Sequence, residues 1–170
     1  ILGYIVVEKL KDGKPTAVGA ASGIVAGLVA ITPACANLTP LWAIVLGGVA
    51  GAACCFAIDL KYKLGYDDSL DVVGLHLVAG TLGTLYLGFF ATTFDAEAGT
   101  WTDTGLFLGG GIDQLLTRIV PVVAVLVYSF VVAFVLVKVI DLIMGFRVTE
   151  DEEIAGVDNV LHGGEAYKFD

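Results

Sequence analysis

No Asp, Glu, Lys or Arg occurs between Lys14 and Asp59. Residues 72–94 and 119–137 are equally free of them, and His76 is the ionisable group that stands out inside the first of these two runs. A hydrocarbon core of about 30 Å takes about 20 apolar residues to cross as a helix. The chain has 170 residues, 57% of them hydrophobic, so four such spans fit, preceded by a partial one. Backbone amides in lipid must be satisfied internally, and runs this long and uniformly apolar do so as helices rather than barrel strands. The sequence therefore predicts an all-α polytopic membrane protein, with spans at residues 17–36, 41–60, 70–93 and 113–145 inside a membrane region of 1–145. A cytoplasmic tail is predicted over 146–170.

The opening run, Ile1 to Val7, meets charge at Glu8 and Lys9. It lacks a basic leader and a small-residue cleavage site. It reads as the end of a helix, which makes the chain the C-terminal portion of a longer protein. Gly19, Gly23 and Gly27 repeat at a spacing that forms one smooth stripe on a helix, where a neighbouring backbone can approach. Thr32-Pro33 marks a break or kink, because proline lacks an amide donor and restricts its predecessor. A loop is predicted over 94–111. The last span is longer than a perpendicular crossing needs, so it tilts or protrudes.

Cations are distributed unevenly. Lys9, Lys11, Lys14, Lys61, Lys63, Arg147 and Lys168 fall on one side of a four-span topology, with Lys138 near it and Arg118 alone on the other. By the positive-inside rule the tail is cytoplasmic. The net charge of −9, with acid concentrated in the tail, argues against nucleic acid as a partner. That acidic run is a solvated face or a docking surface. Cys35, Cys54 and Cys55 lack metal-ligand spacing and read as buried small hydrophobes. No metal site, cofactor or enzymatic activity is expected.

Ionisable side chains inside a bilayer are costly and usually functional. His76 lies about six residues into the third span. A neutral ring is expected there, because a dry surrounding disfavours the imidazolium, and a neutral ring can donate with one nitrogen while accepting with the other. Asp71 stands near the start of the same span. It is read as a helix cap, with a second reading in which it lends the pore mouth a negative potential. The Thr32 hydroxyl either bonds back to the preceding turn or faces a solute path at the break.

The strings GKPTAVGAASGIVAGLVAITPA (13–34), KLGYDDSLDVVGLH (63–76), KVIDLIMGFRVTEDEE (138–153) and HGGEAY (162–167) resemble the C-terminal half of the Amt/Mep/Rh ammonium transporters. The resemblance implies an eleven-helix fold of two inverted five-helix repeats plus a long tilted helix, of which this chain would supply the end of helix seven, helices eight to eleven and the tail. It implies a solute path between the repeats. It also implies that His76 is one of two histidines facing each other in a narrow apolar pore, with its partner outside this chain. Val72 matches a pore-lining position, and Thr32 falls in a segment beside the pore. In the tail, Arg147, His162 and Tyr167 match family features. A homotrimer in the plasma membrane is implied, together with a cytoplasmic face that can bind a PII-type signalling protein. Ammonium or ammonia is the implied cargo.

Three departures stand out. Cys35 and Ala36 follow Pro33-Ala34 where the family usually has Ala-Gly. Leu77 replaces the glycine after the histidine, and its added volume can shift His76 or crowd a neighbour. Val160 stands where some eukaryotic members carry a phosphorylated threonine.

Overall fold

The computed structural model of the chain describes residues 1–164. Two compact units are present, residues 1–124 and residues 125–170. The first unit begins with helix α1 (Leu2–Asp12), followed by α2 (Ala17–Ile31), α3 (Pro40–Ala57) and the short α4 (Leu60–Leu64). A π turn over Val73–Leu77 runs directly into α5 (Val78–Phe90). Strands β1 (Thr92–Asp95) and β2 (Thr100–Asp103) form an antiparallel hairpin, and a 3-10 turn (Leu106–Leu108) precedes α6 (Asp113–Met144). Helices α2 and α3 and the segment from Val73 to Phe90 lie within charge-free stretches, and α6 contains the third such stretch. Among the described residues three helices, at Pro40–Leu64, Val73–Phe90 and Asp113–Met144, are long and apolar enough to cross a membrane, and α2 is a shorter apolar helix.

Small residues hold α2, α3 and α5 together. Ala26, Ala30, Ala50, Cys54 and Ala79 have no exposed surface and form one cluster with Leu46, Leu75 and Leu87. Two lipid-soluble helices gain little from hiding apolar surface from each other, so close backbone approach and dispersion supply the attraction. At the α2–α5 crossing a Cβ on Gly83 would overlap the carbonyl oxygen of Ala30. The predicted glycine stripe is used in part. Gly19 and Gly23 are buried against α1, whereas Gly27 has open space.

The segment after α5 differs from the expectation. The third span was expected to reach residue 93 and a loop to follow. Instead α5 ends at Phe90, Ala91 turns extended (ψ 138), and the hairpin pairs Thr92 with Asp103 through Asp95 with Thr100. Threonine and aromatic residues favour the pleated conformation. The Asp95 carboxylate closes the turn by accepting from the amides of Glu97 and Ala98 at 2.9 and 3.1 Å. Thr92 N–H donates to the Asn37 carbonyl at 2.8 Å, which ties the hairpin to the α2–α3 loop. An aromatic cluster at this end packs Trp42 on Phe90 (4.4 Å) and Phe107 on Phe89 (5.1 Å). Cys54 and Cys55 are buried as expected, but Cys35 is exposed because it lies in the turn after α2.

In the second unit the later part of α6 stacks Phe130 on Phe134 (6.3 Å), and helix α7 (Glu150–Ala155) is followed by a π turn over Asp158–His162.

Candidate functional site

His76 sits on the π turn, with an exposed side chain in this chain. A π turn carries one residue more than an α turn and leaves the backbone wider, a feature that concentrates at functional sites. Several groups fasten this one. Asp68 accepts from the amides of Val72 and Val73 at 2.8 and 2.9 Å. The Cys54 thiol, on α3, donates to the Leu75 carbonyl at 3.9 Å. Gly74 lies flat on Ile58, where a Cβ would come within 2.8 Å of the side chain and 3.0 Å of the backbone.

Asp71 is not the capping group, because Asp68 takes both amides. Asp71 has φ 57, the left-handed region that aspartate tolerates better than most residues. Its carboxylate instead pairs with Lys61, on α4, at 2.6 Å. Lys61 also donates to the Asp68 carbonyl at 3.0 Å. The sequence signal for the cap was present, since Asp68 and Asp71 both precede the apolar run; only the fold of the loop chooses between them.

Val72 is half-exposed and lies four residues before His76, which places the two on neighbouring turns. Leu77, the residue after His76, is 43% exposed. Thr32 bonds back to the Leu28 carbonyl at 2.7 Å. Ala30 meets Gly83, which lies seven residues beyond His76 in the chain. Val72, Asp71 and His76 share one segment at the start of the third span, and Thr32 stands at the end of α2.

Two charged residues that sequence reasoning left as loop charges also organise this unit. Glu8 is 8% exposed and accepts from Thr16 N–H at 2.9 Å and the Thr16 hydroxyl at 2.7 Å. The same hydroxyl accepts from Gly19 N–H at 2.8 Å, so a buried carboxylate backs the N-cap of α2. Lys11 pairs with Asp59 at 2.6 Å and bridges α1 to the end of α3.

In the tail, Arg147 meets Glu153 at 3.2 Å and His162 Nδ1 lies 3.1 Å from Asp158. Tyr167 lies outside the described residues. Thr149 and Glu152 form a reciprocal capping box at the start of α7. The T-x-x-E spacing is its signature and was legible in the sequence. Hydrogen bonds from the Thr149 amide and hydroxyl hold the Glu152 carboxyl below the usual glutamate range. A lowered folded value means the cap's contribution is complete above the ordinary value of about 4.3 and is lost as pH falls through the lowered one. A carboxyl 13C titration of Glu152 in the full-length protein is expected to give a midpoint below that of Thr149→Ala. Equal midpoints would remove the capping box from solution.

The folded helices and their apolar faces define a polytopic membrane protein. The comparisons then give the family. The Ammonium Transporter Family profile matches residues 1–167. An ammonium transporter of Mycobacterium tuberculosis strain H37Rv is 44% identical over 173 residues, covering 99% of this chain and 36% of that protein. One from Bacillus subtilis strain 168 is 44% identical over 169 residues, covering 99% and 41%. The crystal structure of Candida albicans Mep2 matches with a TM-score of 0.78 and 34% identity, over 89% of this chain and 34% of that one. The chain belongs to the ammonium transporter family. It spans 36% and 41% of the length of the two bacterial relatives.

Proposed function

We propose that the protein of which this chain is part carries ammonium or ammonia across the plasma membrane, with His76 as one of two imidazoles in an apolar pore and Val72 lining the path beside it. The observation that supports this most directly is the placement of His76 on a fastened π turn in an otherwise apolar helix. An isolated cation entering a medium of low dielectric faces a penalty of order 20 kcal/mol in the idealised limit. Neutral ammonia avoids most of it. An apolar path therefore favours release of the proton at entry, and a neutral imidazole can hold the resulting ammonia by one hydrogen bond and pass a proton through the other nitrogen. The positive-inside distribution supports a cytoplasmic tail. His76→Ala in the full-length protein is expected to abolish methylammonium uptake or change its current per molecule. Uptake and current equal to those of the unmodified protein would reject the role.

A second reading adds a docking role for the tail. The cap of α7 and the Arg147–Glu153 pair give the tail the local order such a role would use. The tail would then contact neighbouring subunits of a homotrimer and present a surface for a PII-type regulator. Removing residues 146–170 should weaken one of these associations, read by subunit coupling and regulator binding.

A further inference from the structure

We propose that Lys61 and Asp71 are positioning residues for His76, acting as a clamp that sets the rotational phase of its π turn. The inference rests on the transport reading. Its basis is a chain of contacts from α4 to the imidazole-bearing segment. The Lys61 ammonium donates to the Asp71 carboxylate at 2.6 Å and to the Asp68 carbonyl at 3.0 Å. Asp68 in turn holds the first two amides of the segment, those of Val72 and Val73. Asp71 links these contacts with a left-handed backbone, φ 57, so the chain enters the helix at a sharply defined angle.

That angle matters because of the π turn itself. The same residues have an α-helical alternative with one residue fewer in the turn. A slip of one residue rotates every later side chain by about 100°. His76 would then leave the direction it now takes. Gly74 on Ile58 and the Cys54 thiol on the Leu75 carbonyl support the far side of the turn, but neither fixes where it begins. The Lys61–Asp71–Asp68 contacts do. Each is charge-assisted, and the pair is backed by a second bond from the same ammonium, which makes it a firmer constraint than a single surface contact.

Uptake of methylammonium by the full-length protein tests the clamp, with Vmax and KM separated and the folded amount measured in the same membranes. Lys61→Met is expected to lower Vmax about tenfold with KM changed less than about twofold, because a displaced catalytic-type geometry slows passage rather than first binding. Lys61→Arg keeps the cation and is expected to retain most of the rate. Asp71→Asn keeps the left-handed backbone but loses the charge, and is expected to fall with Lys61→Met. Asp71→Asn decides on the same criteria if Lys61→Met yields no folded protein. Unmodified Vmax in Lys61→Met or Asp71→Asn overturns the clamp, as does Lys61→Arg being as slow as Lys61→Met. These results leave the transport reading intact if His76→Ala still abolishes uptake. Absence of uptake by the unmodified protein overturns both.

Discussion

Gly83→Leu is expected to prevent the folded protein from accumulating, and Gly83→Ala to destabilise it by about 3 kcal/mol or more. The reason is local and severe. A Cβ at this position overlaps the Ala30 carbonyl oxygen, and that oxygen belongs to the backbone of α2, so it cannot rotate away as a side chain would. Either the α2–α5 crossing opens or the helices shift. Opening it exposes Ala30 and Ala79, both without accessible surface in the native packing, and loses the dispersion contacts of the cluster around Leu87. Thermal unfolding of the purified full-length protein in detergent measures the effect. A melting temperature for Gly83→Ala equal to that of the unmodified protein would contradict the close approach.

Glu8→Ala is expected to cost about 3 kcal/mol, since two hydrogen bonds to a charged acceptor are lost in a shielded place. The Thr16 amide and hydroxyl would both lose their partner, and the hydroxyl's hold on the Gly19 amide would loosen with them. Glu8→Gln should be far milder. Its carbonyl can accept from the Thr16 amide, while its amide nitrogen donates to the hydroxyl, which rotates to accept. Gly19→Ala should resemble Glu8→Ala, because a Cβ there runs into the carboxylate oxygens. Thermal unfolding of the three variants separates these outcomes. Equal losses for Glu8→Gln and Glu8→Ala would show that the negative charge itself, rather than the acceptor geometry, is what the site requires.

The way these residues were or were not legible follows from the range of the forces involved. Apolar runs without charge are a property of consecutive residues, so the helices could be placed from the chain alone. His76 could be singled out for the same reason, because an imidazole in such a run is visible without any partner. The Thr149-x-x-Glu152 box was equally readable. The choice of Asp68 over Asp71 as the cap was not, since it depends on a left-handed residue and on a lysine ten positions earlier. Glu8 gave still less sign of itself. Its partner is eight residues away across a helix turn, and a charge at the end of an apolar run looks the same whether solvated or buried.

Composition and the spacing of charge determined by themselves that this chain forms apolar helices of membrane-spanning length, and which imidazole stands within one. These are consequences of transfer from water to hydrocarbon, which each segment meets independently of the others. Tertiary structure alone decided that the third span begins as a π turn, that Cys35 is exposed, and that the chain after Phe90 pairs as a hairpin. Each of these depends on where a second segment passes, and backbone approach at Gly74 and Gly83 is set by contacts between residues far apart in sequence.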